Sequence, residues 1–321
     1  MTESHLIRCA VIGVGYLGKF HAEKFAMLPH CRLIGVVDSD HGQAEAIANN
    51  HGVTAFTDFR DLIGKVDAVS VVTPTSVHYP IAKACLEQGI HVLVEKPITS
   101  RVEHAQDLIN TAKDNNCILQ VGHLERFNPV LTQLNSALNQ PKFIESLRLA
   151  PYNPRIKDID VILDLMIHDI DIILTTVHSD IIRLEVSGTP VLTDQTDIAN
   201  ARLTFANGCV ANVTASRISQ KIERKMRIFQ HDAYISIDFH NRIFSHHQKA
   251  CDEMYPGIAN IETSKTTYPD GDTLKSEIAD FLDCVITGKE PLVSGEDGLL
   301  ALKTATRIRE LINAQQETEA L

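Results

Sequence analysis

A lysine between a glutamate and a proline is the first group of residues whose types and spacing suit chemistry. Lys96 follows Glu95 and precedes Pro97, directly after the apolar run at 91–94. Its ammonium group can hydrogen-bond a substrate hydroxyl, and its neutral amine can take up the hydroxyl proton. Pro97 has a fixed backbone angle and restricts Lys96, which favours a turn of one shape. Taken alone, such a lysine is more typical of a solvated loop.

A second group combines two aspartates and a histidine in the helical pattern at 161–177. At about 100° per residue, Asp164, His168 and Asp171 fall on one face of the helix. Nearly all positions around them are apolar, Asp169 excepted. Because an unpaired buried acid is costly, this stripe is expected to face a polar cleft. His168 is a candidate acid/base there, and Asp164 or Asp171 would orient it or contact a sugar hydroxyl.

Two other interpretations of this Asp/His stripe remain open. An aspartate and a histidine four residues apart can form half of a metal site, but no Cys or His cluster elsewhere in the sequence completes one. We therefore expect no metal. The stripe could also consist of a helix cap and a structural hydrogen-bond network.

The sequence also contains a glycine fingerprint for a dinucleotide. Gly13, Gly15 and Gly18 come directly after the apolar run at 7–12 and open a helical pattern. Gly13 allows a tight turn, Gly15 lets the backbone approach a pyrophosphate, and Gly18 lets helix and strand pack closely. The helix N-terminus offers N–H groups and the positive end of a dipole to the phosphates.

An acidic residue selects between the two nicotinamide cofactors. Asp38 ends the apolar run at 33–37, twenty residues after Gly18. Its carboxylate can accept hydrogen bonds from the adenosine ribose and would repel a 2′-phosphate, so the sequence predicts NAD rather than NADP. The predicted NAD-binding residues are Gly13, Gly15, Tyr16, Leu17, Gly18, Asp38, Thr73, Pro74, His78, Glu95 and Lys96.

Further polar residues are candidates for binding a substrate. The segment 122–129 leads out of the first half of the chain, and polar residues at a domain junction can reach a ligand or form an interdomain salt bridge. Two basic residues before the 161–177 helix could bind an anionic substrate, or lie in a solvated loop. The candidate substrate-binding residues are His123, Glu125, Arg126, Arg155, Lys157, Asp164, His168 and Asp171.

The elements that must position these residues form two patterns. Apolar runs at 7–12, 33–37, 68–72, 91–94 and 118–121 alternate with helical patterns at 17–28, 41–51, 77–88 and 102–115. This alternation predicts a doubly wound parallel sheet, which binds ligands at the carboxyl ends of its strands. We assign it to a Rossmann domain at 1–123.

The remainder, 124–321, is predicted to be a substrate-binding and oligomerisation domain. Strand patterns without intervening helices predict a mostly antiparallel sheet. These strands are expected at 181–188, 198–205, 209–216, 224–230 and 233–239. Residues 249–273 are expected to form a long surface loop, followed by helices at about 274–286 and 297–315. The last of these is a candidate to pack back on the first domain.

Composition narrows the class of protein. With 30 basic and 41 acidic residues among 321, the net charge is −11, which disfavours nucleic acid and anionic membranes as partners. The seven cysteines are odd in number and form no Cys-x-x-Cys pair, which predicts reduced core thiols. No apolar run has transmembrane length and no signal peptide is evident, so we expect a cytoplasmic protein without membrane insertion.

Together, the glycine fingerprint, Asp38, the Glu-Lys-Pro triplet and the Asp/His helix resemble the glucose-fructose oxidoreductase / inositol dehydrogenase / rhizopine catabolism family of NAD-dependent sugar dehydrogenases. The resemblance covers nearly the whole chain. It implies an N-terminal Rossmann domain and a C-terminal α/β domain with an open-faced, mostly antiparallel sheet, used for dimer or tetramer contacts. Lys96 matches the family's motif lysine, and Asp164 and His168 match its D-x-G-x-H motif. Met166 stands where that motif has glycine.

Segments 122–129 and 164–171 are more similar to the branch that acts on nucleotide-sugars. This similarity implies oxidation of a ring hydroxyl with hydride transfer to NAD, Lys96 or His168 taking the proton. It also implies that a partner aminotransferase consumes the keto sugar, on the way to lipid A. The alternatives are a free-sugar or inositol dehydrogenase, an NAD-dependent glycosidase, and a non-catalytic NAD-sensing regulator. Lys96 and His168 disfavour the regulator, because a binding module needs neither.

Overall fold

The glycine-containing turn joins the first strand and first helix of a six-stranded parallel sheet in this computed structural model, which describes residues 6–153, 159–268 and 271–319. The strands are β1 (Ile7–Ile12), β2 (Cys31–Val37), β3 (Thr54–Phe56), β4 (Ala68–Val71), β5 (His91–Glu95) and β6 (Leu119–Gly122). They lie in the order β3-β2-β1-β4-β5-β6. The helices between them are α1 (Gly18–Met27), α2 (His41–His51), α3 (His78–Leu86) and α4 (Val102–Asp114). The predicted doubly wound sheet is confirmed.

Continuous apolar runs form these strands because helices cover both faces of the sheet. All four residues of β4 are buried, for example. The core also receives side chains from much later in the chain, since Ile278, Phe281 and Leu282 pack with Val11 and Phe25.

The division of the chain into two units therefore differs from the predicted domains. The first unit comprises Met1–Phe127 and Asp272–Leu302, and the second comprises Asn128–Gly271 and Lys303–Leu321. The predicted boundary after residue 123 assigns the segment 272–302 to the second domain, whereas this segment belongs to the first compact unit. Helical periodicity identifies an apolar face but does not identify the sheet that the face covers.

The second unit contains a sheet of eight strands. They are β7 (Phe143–Leu149), β8 (Ile181–Thr189), β9 (Ile198–Phe205), β10 (Val210–Ser216), β11 (Glu223–Phe229), β12 (Ala233–Asp238), β13 (Ile243–Tyr255) and β14 (Ile258–Thr267). Their order is β14-β13-β12-β11-β7-β10-β9-β8. β7 and β10 are parallel and the other neighbours are antiparallel, so the predicted mostly antiparallel sheet is confirmed.

The helices complete both units. Within the second unit lie α5 (Pro129–Ala137), a π-helical turn at Ile162–Met166 and α6 (Ile167–Val177). Two C-terminal helices follow, α7 (Thr273–Thr287) in the first unit and α8 (Gly295–Glu319), which contains the division at Leu302. Among the described residues, no helix has both the length and the apolar character needed to span a membrane.

The prediction of a surface loop at 249–273 is wrong. Most of this stretch belongs to a hairpin of β13 and β14, which pair antiparallel. The prediction failed because residues 251–258 are exposed on both faces, so their sequence has no apolar alternation. Strand β7 and helix α5 were not predicted either.

Two buried ion pairs fix the inner layer of the second unit. Arg148 on β7 donates to Asp169 on α6 from Nε at 2.8 Å and from Nη2 at 3.1 Å. Arg217, just after β10, donates from Nε to Asp197 at 2.7 Å. Burial alone would raise the pKa of Asp197, but hydrogen bonds from backbone N–H groups and from Arg217 outweigh it and hold the pKa below its usual range.

All seven cysteines are free thiols. Four of them are buried, Cys9, Cys85, Cys209 and Cys284, as the prediction of core thiols requires. Cys251 is exposed, and for this residue the prediction is wrong.

Removing one member of a buried ion pair should destabilise the second unit strongly. We expect Arg148→Ala to lower the free energy of unfolding by about 3–5 kcal/mol, because Asp169 then stays buried without its partner. Arg307→Ala, at an exposed position of the second unit, should cost less than about 1 kcal/mol. Denaturant titration of both variants measures the two values, and equal losses would contradict the role of the buried pair.

Candidate active site

The glycine turn has the geometry that a phosphate-binding loop needs. Gly13 has a φ of +87°, and a Cβ there would lie 2.5 Å from the carbonyl oxygen of Val72. A Cβ on Gly18 would overlap the carbonyl oxygen of Gly13, so strand and helix meet without room for a side chain. At Gly15 the nearest atom to a Cβ is 3.8 Å away. The turn is therefore closed towards the protein and open at Gly15, as the approach of a pyrophosphate requires.

Residues beside this turn fit the adenosine half of a dinucleotide. Asp38 follows β2, and its Oδ2 accepts hydrogen bonds from the N–H of Val14 at 2.9 Å and from Gln43 Nε2 at 2.8 Å. The carboxylate is thus fixed next to the turn. Tyr16 and Leu17 have exposed side chains at the start of α1.

The loop after β4 offers a further polar atom to a cofactor. Thr73 Oγ1 is buried and has no hydrogen-bond partner within the described part of the protein. Pro74, which follows it, is exposed. His78 is buried, with Nε2 2.8 Å from the carbonyl oxygen of Thr73 and Nδ1 3.0 Å from that of Pro97. Burial lowers the pKa of His78 although both carbonyls oppose this change. His78 links the loops that follow β4 and β5, and its contact with the cofactor stays a prediction.

Lys96 lies at the carboxyl end of β5 and is half-buried. Its peptide bond to Pro97 is cis, and its N–H donates to Glu95 Oε2 at 3.2 Å. The other carboxylate oxygen of Glu95 lies 3.2 Å from His21 Nε2. The backbone of Lys96 is therefore fixed through the side chain of its neighbour.

The segment after β6 adds a neutral histidine to this end of the sheet. Burial, reinforced by the positive charges of Lys96 and Arg126, lowers the pKa of His123 to about 3. Glu125 is buried, and Arg126 Nη2 donates to the carbonyl oxygen of Leu292 at 2.9 Å. The structure brings His123 under the influence of Lys96, and it ties Arg126 to the protein's own backbone.

In the second unit, the Asp/His stripe begins in a π-helical turn rather than an α-helix. Asp160 caps it by accepting hydrogen bonds from the N–H groups of Ile162 and Leu163 at 2.9 and 3.0 Å. The angles calculated for Asp164, His168 and Asp171 at 100° per residue are wrong across Ile162–Met166, because a π turn contains more residues than an α turn. Such turns are frequent at functional sites.

The stripe keeps its polar character within a buried segment. Asp164 and Asp171 are buried and His168 is half-buried. Asp169, the polar exception in the sequence pattern, pairs with Arg148. The sequence did not predict this ion pair. Met166 is fully buried, so the side chain that replaces the family's glycine packs in the core.

Two predicted substrate-binding residues lie outside the described residues. Arg155 and Lys157 belong to the segment 154–158, and their proposed contact with an anionic substrate stays a prediction. Three residues that support the site were not predicted from the sequence: Asp160, Arg148 and His21. An N-cap signal was readable at Asp160, two residues before the turn, but neither Arg148 nor His21 stands near its partner in the sequence.

Comparison with known proteins places the chain in a family. Residues 7–123 match the GFO/IDH/MocA oxidoreductase family with an NAD-binding Rossmann fold, and residues 145–236 match the C-terminal domain of that family. The chain is 38% identical over 310 residues to UDP-N-acetylglucosamine 3-dehydrogenase from Acidithiobacillus ferrooxidans, covering 96% of this chain and 98% of that protein. A solved structure of the Acidithiobacillus enzyme has a TM-score of 0.91 over 96% of this chain and 98% of its own.

More distant relatives share the same architecture. The NAD-dependent scyllo-inositol 2-dehydrogenase of Bacillus subtilis is 26% identical over 93% of this chain and 92% of its own length. Levoglucosan dehydrogenase, solved in complex with NADH and levoglucosan, has a TM-score of 0.85 at 19% identity, covering 96% of this chain and 97% of that one. At that identity the likeness concerns the fold alone.

The fold and the glycine turn define an oxidoreductase of the NAD-binding Rossmann class. More narrowly, the chain belongs to the GFO/IDH/MocA family, as its motifs predict. Its cofactor is NAD. The open turn at Gly15, the fixed carboxylate of Asp38 and the buried Oγ1 of Thr73, which has no partner among the described residues, fit this cofactor.

Removing the charge of Asp38 should weaken the preference for NAD. We expect Asp38→Asn to raise the affinity for NADP relative to NAD by about 10-fold or more, because the repulsion of the 2′-phosphate is lost. Calorimetric titration with both cofactors measures the ratio, and Asp61→Asn, at an exposed position, is the control. An unchanged ratio would remove Asp38 from cofactor selection.

Proposed function

We propose that this oxidoreductase oxidises the 3-hydroxyl of UDP-N-acetylglucosamine to the 3-keto sugar. The observation that carries this proposal is the 38% identity to the Acidithiobacillus enzyme, sustained over 96% of this chain and 98% of that one. The inositol dehydrogenases are more distant, which favours a nucleotide-sugar over a free cyclitol.

The candidate catalytic residues suit this reaction. NAD, when bound, accepts the hydride from the sugar carbon. Lys96 and His168 are the two candidates to hold the sugar hydroxyl and to take its proton, and Asp164 orients His168 or contacts the sugar. His123, kept neutral by its surroundings, can donate or accept a hydrogen bond without adding charge beside Lys96.

A direct test follows NADH absorbance with purified protein, NAD and a panel of UDP-sugars, free sugars and inositols. A carbonyl trap or an aminotransferase removes the keto product. We expect NADH to form with UDP-N-acetylglucosamine. Formation with an inositol or free sugar alone would keep the family and overturn the substrate. NAD binding without turnover on any substrate would point to a regulator, and release of an aglycone would point to a glycosidase.

Replacing either candidate base should suppress turnover but leave the cofactor bound. Lys96→Ala and His168→Ala should each lower kcat by about 10²–10⁴-fold, because each removes a group that holds or takes the hydroxyl proton. Lys65→Ala and His240→Ala, at exposed positions, are the matched controls. NAD titration by fluorescence verifies binding, and near-normal turnover of both variants would refute the assignment.

We also propose that the protein acts as a homodimer or homotetramer through the exposed face of the second unit's sheet. This face carries an ion pair between Arg227 and Glu145 at 2.8 Å and a hydrogen bond between Arg202 and Asn212 at 3.0 Å. Polar side chains that are already paired can be covered by a second copy at lower desolvation cost. Arg227→Glu places two acids side by side and should shift the mass measured by light scattering towards the monomer. An unchanged mass would place the interface elsewhere.

The place of this reaction in the cell is part of the same proposal. A keto sugar at carbon 3 is a substrate for an aminotransferase, which would yield the 3-amino sugar used in lipid A. The seven free thiols support a reducing compartment, the cytoplasm.

A further inference from the structure

Three titratable side chains from distant parts of the sequence meet inside the first unit. His21 on α1, Glu95 at the end of β5 and Glu277 on α7 place ligand atoms within 4.8 Å of one another. Glu277 is 0% exposed, and no group in the described ranges donates a hydrogen bond to either of its carboxylate oxygens. A buried carboxyl without a partner is costly, especially when ionised. Glu277 therefore requires an explanation that the reaction itself does not supply.

Glu95 is the member of this cluster whose orientation is fixed. Its Oε1 lies 3.2 Å from His21 Nε2, and its Oε2 accepts the N–H of Lys96 at 3.2 Å. The second ring nitrogen of His21 lies 2.8 Å from Ser70 Oγ. A Cβ on Gly122 would stand 3.2 Å from Glu95 Oε2, so the glycine leaves space for this carboxylate.

The two carboxyl groups have opposite electrostatic surroundings. Burial raises the pKa of Glu277 well above its usual range, and the charges of Glu95 and Asp280 raise it further. Burial also opposes ionisation of Glu95, but the hydrogen bond and charge of His21, with the charge of Lys96, outweigh it and lower the pKa of Glu95. Carboxyl pairs with such divided surroundings separate into a protonated and an ionised partner.

We propose that Glu277 carries a proton at neutral pH and donates it in a hydrogen bond to the carboxylate of Glu95. Since Glu95 in turn accepts the backbone N–H of Lys96, Glu277 is a positioning residue for the loop that carries this lysine. It reaches the cluster from α7, which packs on the Rossmann sheet although its sequence follows that of the second unit's strands. The protonation concerns the folded protein alone, whereas the effect on turnover rests on the proposed function.

The pH dependence of stability tests the proton without any substrate. A carboxyl whose pKa is higher in the folded than in the unfolded protein stabilises most at low pH, and its contribution declines as the pH rises above about 4.3. Glu277→Gln removes this decline. The unfolding midpoint of the variant minus that of the wild type should therefore increase by about 3 °C per pH unit between pH 5 and the pKa of Glu277. Glu103→Gln, an exposed matched control, should show a constant difference.

A constant difference for Glu277→Gln as well would overturn the proposal. A histidine and two carboxylates are also suitable donors for Zn²⁺. Midpoints are therefore measured with EDTA and with added Zn²⁺. Stabilisation of the wild type by Zn²⁺ that is lost in Glu277→Gln would assign a metal site to this cluster. It would overturn the proposal that Glu277 is protonated and donates to Glu95.

Infrared spectroscopy observes the proton directly. At pH 7 the wild type should show a carboxylic-acid C=O band that shifts in D₂O, and Glu277→Gln should lose it while Glu103→Gln keeps it. Absence of this band from the wild type would refute a protonated Glu277.

Measuring kcat of Glu277 variants distinguishes a role in positioning the Lys96 loop from a role in stability alone. Glutamine keeps an N–H donor for Glu95, whereas leucine offers none. If the oxidation of the sugar is established, Glu277→Leu should lower kcat by about 10-fold or more at an unchanged KM for NAD, and Glu277→Gln should restore most of it. Equal kcat for the leucine variant and the wild type would overturn the positioning role. The protonation of Glu277 would still be tested separately by the pH dependence of the unfolding midpoint and by infrared spectroscopy.

Discussion

A charged side chain inside an apolar layer needs a partner. This requirement determines the buried ion pairs and hydrogen bonds of each unit. In the second unit, Arg148 joins the sheet to the helix that carries His168 by pairing with Asp169. In the first unit, Glu95 interacts with His21 and accepts the backbone N–H of Lys96. In each case the residue next to a candidate catalytic side chain is fixed by a buried interaction. The reactive groups are thereby held on rigid elements, where their positions change little.

The cofactor half of the site depends on a second constraint, the absence of side chains. A Cβ on Gly18 would overlap the carbonyl oxygen of Gly13, and a Cβ on Gly13 would lie 2.5 Å from the carbonyl oxygen of Val72, so neither position accepts a side chain. Gly15 leaves the opposite side open. The carboxylate of Asp38 lies where the adenosine ribose is expected to bind. The N–H of Val14, in the glycine turn, donates a hydrogen bond to this carboxylate and fixes its position. Together these features explain why a short glycine pattern, followed by one acid, predicts both the class of cofactor and the choice of NAD.

The sequence was informative where the interactions are local. Periodicity and turn residues predicted the parallel sheet, the order of its helices and most antiparallel strands, since each signal lies within one element. Hairpin β13–β14 was missed because its outer half packs against nothing that demands alternation. The π turn was missed because periodicity assumes one helix geometry. Glu277 was invisible because its partners, His21 and Glu95, are joined to it only by the fold.

The proposed function depends on the transfer of hydride from carbon 3 of a UDP-linked amino sugar to NAD. The most direct measurement uses UDP-N-acetylglucosamine carrying deuterium at carbon 3, with mass analysis of the reduced cofactor and single-turnover rates. We expect deuterated NADH and a slower hydride-transfer step than with the unlabelled sugar. Unlabelled NADH formed at an unchanged rate would mean that another carbon is oxidised, and would contradict the claim.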